Sequence, residues 1–210
     1  MTSYLTVARD AEAEIEVKRS RFLCTLARVA DEDAARAMVD RLRKRHWDAG
    51  HHCSAFVIGA RGEVQRSSDD GEPAGTAGAP MLEVLRGHEV TDVIAVVTRW
   101  FGGTLLGAGG LVRAYGDAVR AGLEASGRLR RELVREHLLE LDHADAGRVE
   151  SELRSRGIAV LDVTYGAHVA LRLGVPSNEE ERLTSLVAEL TWGAAALVPA
   201  GERWVDRPLE

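Results

Sequence analysis

The sequence predicts a two-domain α+β protein. Three observations predict it. The chain has 210 residues, more than one average domain needs and enough for two small ones. VTDVIAVVTRWF, residues 90–101, is a near-continuous apolar run, the pattern of a strand covered on both faces. From residue 132 onward the hydrophobic pattern runs β-α-β-β-α-β, the order of a ferredoxin-like sandwich with two helices on one face of an antiparallel sheet. These place the first domain at residues 1–130 and the second at 131–210. The charge balance also changes at that boundary.

Taken in order, residues 13–29 alternate and are rich in β-formers, so they read as a hairpin turning near residues 18–21. Asp31 and Asp33 open a helix that runs to about Trp47, with Ala34, Ala37, Met38 and Leu42 at helical spacing. The RLRKR run near its end complements the helix dipole. HHCSAFVIG, residues 51–59, reads as a strand, and a short strand and a loop follow it. A helix from about Thr76 to Arg86 carries Pro80 in its first turn. Residues 102–110 form a glycine-rich turn, and a long helix then runs to about Ser126, with Gly127 as its stop. In the second half, ELVREHLLELD is a strand and ADAGRVESELRSRG a helix ending on Gly157. A hairpin turns about Gly166. Ser177 and Glu180 match a capping box ahead of the last helix, and AALVPAGERWV closes as a strand.

Composition excludes several classes. No apolar run approaches the roughly 20 residues of a membrane helix. The N-terminus lacks a basic start followed by an apolar stretch, so a cytoplasmic location is expected. Cys24 and Cys53 are too few for a disulfide framework. Residues 1–131 hold 19 Lys and Arg against 18 Asp and Glu, and residues 132–210 hold 8 against 15. Neither half has the basic excess of an autonomous nucleic-acid binder. RNA contact would need local clustering of arginines in the first half, whereas the acidic second half suits a basic protein partner.

Two segments carry the candidate chemistry: SSDDGEPAGTAGAP, residues 67–80, and TRWFGGTLLGAGGLVRAY, residues 98–115. Each places several glycines immediately before a helix. Glycine lets backbone come close to a ligand, and a helix N-terminus offers unpaired N–H groups. Together they make an anion cradle from Gly75, Thr76, Ala77, Gly78, Gly102, Gly103, Gly107 and Gly110, with Arg99 and Arg113 adding charge-assisted bonds. Close packing of helix on sheet explains the same glycines without a ligand. The Walker pattern fails, because Ala108 and Gly109 stand where Lys and Ser or Thr belong. The dinucleotide pattern fails at Val112.

His51 and Cys53 share a strand face that His52 does not, but no third metal ligand joins them, so no metal is expected. Asp69, Asp70 and Glu72 read either as turn formers or as magnesium ligands. One of Trp100 and Phe101 should face outward, where a ring beside Arg99 would stack on a base or anchor a partner. Trp192 and Trp204 lie at element ends and are expected to fill core.

DGEPAGTAGAP and VTRWFGGTLLGAGGLVRAY, with HHCSAFVIG before them, resemble the signature of the YigZ/IMPACT family over residues 15–127; Trp100 stands where Tyr is more usual. The matching positions include Asp70, Glu72, Phe101 and Tyr115. The resemblance implies a left-handed βαβ first domain like that of a small-subunit ribosomal protein and the fourth domain of elongation factor G. It also implies a second domain similar to the fifth domain of that factor. Eukaryotic relatives regulate translation by competing for a ribosome-associated activator of a stress kinase, but with a different accessory domain.

The expected function is therefore a translation-associated regulator. It would bind ribosome, RNA or a translation partner through Arg99, Arg113 and the loop amides, supported by His51, with no cofactor and no assigned catalytic residue. The alternative is a phosphate- or nucleotide-binding enzyme using the same loops, with magnesium held by Asp69, Asp70 or Glu72. A third reading has the acidic second domain docking a basic partner.

Overall fold

The structure, a computed structural model, describes residues 2–209. The chain divides into two compact units, residues 3–130 with 207–209 and residues 131–206. In the first, strands β2 (Ala11–Val17), β3 (Ser20–Arg28), β4 (His51–Ile58), β5 (Val64–Ser68) and β6 (Val93–Trp100) form a sheet in the order β2-β3-β6-β4-β5. Every neighbouring pair is antiparallel. Because β3 and β4 both run against β6, they are parallel to each other, and helix α1 (Glu32–Arg45) joins them as a split βαβ crossover.

The apolar run of β6 is explained by its two covered faces. Val93, Ala95 and Val97 join the cluster packed beneath helices α2 (Gly78–Gly87) and α3 (Ala108–Ser126), while Ile94 and Val96 join Met38 and Leu42 of α1. Strand β4 divides the same way, Cys53, Ala55 and Val57 to one cluster and Phe56 and Ile58 to the other. The two-residue period of a strand thus builds two cores. Asp31 caps α1 by accepting from Ala34 N–H at 2.7 Å.

The hairpin turns at Lys18 and Arg19, both with left-handed backbone (φ 48° and 66°), the geometry of a tight two-residue turn. This turn lies on Gly102. A Cβ there would come within 2.0 Å of the Arg19 carbonyl carbon, and Gly102 N–H donates to Ser20 Oγ at 3.1 Å. An N-terminal strand that the sequence pattern did not signal, β1 (Ser3–Val7), bridges Leu5 to Val90 in parallel.

The second unit holds β7 (Arg128–Leu141) from Arg131 onward, α4 (His143–Ser155), β8 (Ala159–Tyr165), β9 (Val169–Val175), α5 (Glu180–Thr191) and β10 (Leu197–Pro208) as far as Asp206, in the expected order. β10 pairs with β7, and β7, β9 and β8 follow side by side, which is the ferredoxin-like arrangement. Val149 and Leu153 of α4 and Leu183, Leu186 and Val187 of α5 pack on Leu139, Leu171 and Leu173. Three expectations need correction. β7 begins four residues before the pattern predicted. Residues Ser177–Glu179 form a 3-10 turn, so no Ser177 cap forms and the helix starts at Glu180. Trp192 fills no core: it is 91% exposed with left-handed backbone at the end of α5, because the chain must reverse there before Gly193. No helix among the described residues is long and apolar enough to cross a membrane.

Two glycine substitutions separate close approach from idle freedom. Gly102→Ala forces the hairpin off its seat and is expected to lower the denaturation midpoint by an amount worth about 1–3 kcal/mol. Gly147→Ala in α4, where an added Cβ meets nothing within 4 Å, is expected to raise stability by up to about 1 kcal/mol. Urea unfolding of both variants, with unchanged m, checks the pair.

Candidate functional site

The register of β4 against β6 pairs His51 with Arg99, so the two motif segments meet at one end of the sheet. Between them lies Glu72, only 8% exposed. Its Oε1 accepts from Arg99 Nη1 at 2.5 Å and from Tyr115 O–H at 2.7 Å. Tyr115 comes from α3, so this one carboxylate joins the first loop, β6 and α3. Phe22 packs edge-on against Tyr115, ring centroids 5.2 Å apart, and lies 5.4 Å from the Arg99 guanidinium. His51 Nδ1 sits 2.8 Å from the Asp70 carbonyl, which can only accept, so Nδ1 carries the proton; Nε2 then faces Glu72 at 4.0 Å.

Asp69 organises the first loop. Its carboxylate accepts from Gly75, Ala77 and Gly78 N–H at 2.8, 3.0 and 2.8 Å. Partial burial works against the charge, but these three N–H donations outweigh it and hold the Asp69 carboxyl below the usual range. Thr76 is turned inward, its hydroxyl donating to the Pro73 carbonyl at 2.6 Å. Gly78 is pressed on β5, where a Cβ would come within 2.8 Å of Ser68 N. Asp70 is held by Arg43 and by His52 N–H, both at 2.6 Å.

The reactive groups nearby are muted. Burial pushes the Cys53 and Cys24 thiols up to about 12. Burial, with Cys53 and Glu72 alongside, raises the Tyr115 phenol as well, and burial lowers His52. Asp69, Asp70 and Glu72, on which a magnesium site would depend, are all engaged inside the protein, and no cluster of three metal-ligating side chains occurs among the described residues.

Three expectations therefore change. The amides of Gly75, Ala77 and Gly78 do not face a ligand, because Asp69 already supplies their anion. Arg99 does not face one either: it is 6% exposed and paired with Glu72. Gly110 lies inside α3 rather than in a loop. What faces outward is the segment from Phe101 to Gly107 with the start of α3. Phe101 is 59% and Leu105 83% exposed. Trp100, in contrast, is half-buried, its Nε1 donating to Asp48 at 2.9 Å and Arg21 lying 4.7 Å over its ring. Gly103 and Gly107 adopt left-handed backbone with nothing near them, and no side chain caps α3. Arg113 is exposed and, among the described residues, donates only to the Gly109 carbonyl at 3.1 Å, while Arg19 reaches Thr104 Oγ1 at 3.0 Å. Gly75 and Arg113 line one groove of about 660 Å³ between α2 and α3, with Pro80, Val84, Val112 and Gly116. Leu105, Val112 and Arg19 were not singled out from the sequence. The signal available was a Leu-Leu pair inside a glycine loop, one member of which, Leu106, is buried.

A family model described as the Impact N-terminal domain matches residues 18–123, and one described as a domain of unknown function (DUF1949) matches residues 139–194. The chain is 44% identical to IMPACT family member YvyE of Bacillus subtilis, over 91% of this chain and 88% of that protein. It is 38% identical to IMPACT family member YigZ of Escherichia coli, over 96% of this chain and the whole of that one. A crystal structure titled as that of a hypothetical protein is 37% identical, covers 95% of this chain and 98% of its own, and superposes with a TM-score of 0.64.

Because the Asp69 carboxyl is depressed in the fold, its contribution to stability is complete above the unfolded carboxyl range, about pH 4, and is lost as the pH falls through its lower folded value. Asp69→Ala is expected to cost about 1–2 kcal/mol at neutral pH and to shrink the difference from wild type in strong acid. Unfolding midpoints measured from pH 7 to pH 2 check this.

Proposed function

Since the chain belongs to the IMPACT family, we propose that it is a translation-associated regulator that acts by docking on the ribosome rather than by catalysis. The observation that supports this reading is the division of the motif residues. Glu72, Arg99 and Tyr115 bond one another inside the fold and Asp69 bonds the amides of its own loop, whereas Phe101, Leu105 and Arg113 are left outside. A site with engaged carboxylates and raised thiols is poorly equipped for acid–base or nucleophilic chemistry. An exposed aromatic beside arginines has the composition enriched at interfaces, and the exposed leucine adds apolar area.

The outward face suits a ribosomal surface, which offers both phosphates and protein. Arg19, Arg113 and the uncapped start of α3 favour negative charge. Phe101 and Leu105 favour an apolar or stacking contact. With so few cations, binding of this kind is weak and falls with salt on a shallow slope.

Co-sedimentation with ribosomes across salt, from about 50 to about 200 mM, tests the proposal. Wild-type protein is expected in the pellet at low salt and progressively less as salt rises. Arg113→Ala should bind more weakly with a shallower salt slope, and Leu105→Asp should bind more weakly at every salt. A wild type that stays in the supernatant at the lowest salt, or two variants that sediment as wild type does, would overturn it.

A further inference from the structure

At the opposite end of β4 and β6, where Val57 pairs with Val93, the first unit has a second cavity of about 480 Å³. Leu5, Val57 and Val90 give its lining an apolar part, and three exposed arginines, Arg61, Arg86 and Arg130, line it as well. Among the described residues none of these three has a carboxylate partner, while most other arginines do: Arg21, Arg36, Arg43, Arg45 and Arg99 in this unit alone are ion-paired. The chain carries six more acids than bases, yet only Glu89 brings a carboxylate to this cavity's lining. Three arginines and one carboxylate lining a single cavity leave it with a positive potential that favours an anion.

The lining is also built with strain. Glu89 and Asp92, on either side of Val90 and Thr91, adopt left-handed backbone (φ 55° and 53°). Asp92 is fixed by Gly59 N–H at 2.9 Å and by the Tyr4 hydroxyl, and the Thr91 hydroxyl donates to the Gly59 carbonyl at 2.6 Å. Non-glycine residues in this conformation persist only where their surroundings hold them, and they concentrate at ligand sites.

We infer that this cavity is a binding site for a small organic phosphate of mononucleotide size. The phosphate is held by Arg61, Arg86 and Arg130, and the organic body lies against Leu5, Val57 and Val90. The volume falls in the range of small-molecule sites, and the mixture of apolar lining and cations is that of a ligand with one charged end. The site shares no residue with the ribosome-facing surface and does not rest on that reading.

Calorimetric titration of the full chain at low salt with adenosine monophosphate, guanosine monophosphate, adenosine and inorganic phosphate tests it. At least one nucleotide is expected to bind, with inorganic phosphate competing and adenosine far weaker. Arg61→Ala, Arg86→Ala and Arg130→Ala, all exposed positions that should fold normally, are each expected to weaken binding about tenfold. Arg36→Ala, on α1, should leave it unchanged. Adenosine binding as well as the nucleotides, arginine variants binding as wild type, no binding of any probe at millimolar concentration, or an oligouridylate binding where mononucleotides do not would each overturn the inference.

Discussion

The first unit depends on a buried carboxylate. Glu72 brings negative charge out of water, and the Arg99 guanidinium and the Tyr115 hydroxyl compensate it at hydrogen-bond distance. Each of the three belongs to a different segment, so satisfying one buried charge fixes a loop, a strand end and a helix together. Removing one partner strands the others, which costs about 3–5 kcal/mol when a charge is left uncompensated in the interior. The pair need not add stability over an apolar substitute. Its effect is on position: with β6 and α3 held in register, the segment between them has one path, over the hairpin turn that seats against Gly102.

From that constraint the outer face follows. The chain leaves β6 with Arg99 buried near the end of the sheet and Phe101, one residue past the strand's end at Trp100, exposed. It re-enters the fold at Leu106, which packs in the main cluster. Between these two anchored ends Gly103 and Leu105 are left to solvent, while Gly102 packs on the hairpin turn and Thr104 accepts from Arg19. The glycines of this segment therefore have two kinds of reason. Gly102 is required by a neighbouring backbone, whereas Gly103 and Gly107 are required by their own left-handed conformations with empty space around them.

Much of this was legible in the sequence, and the illegible part has a common cause. The two-face burial of β6 was legible because an unbroken apolar run has no other economical use in a folded sheet. The ferredoxin-like order was legible because each helix and strand of the second unit has its own clear period. Donors were legible too, since glycines ahead of a helix announce free amides. The acceptors were not. Asp69 stands six to nine residues before the amides it satisfies, and nothing in its spacing distinguishes an internal anion from a turn former. Arg99 and Arg113 look equivalent along the chain. Only the register that sets Arg99 beside His51 and Glu72 buries one and leaves the other outside. Trp192 failed for the same reason: a local position at a helix end says where the chain turns and not which side of the turn meets the core.

The division between buried and exposed motif residues bears on what a family signature transmits. Any chain that folds this way must solve the same problem of loop, strand and helix, and a Glu-Arg-Tyr cluster with an aspartate closing the loop is a solution to folding. Such residues would accompany the fold whatever the protein binds. Specificity for a partner has to come from groups that reach it; under the docking proposed above these would be Phe101, Leu105, Arg113 and Arg19. The most recognisable part of the sequence is therefore mainly a description of architecture. Under that proposal, recognition is carried by a few side chains that the architecture leaves uncovered.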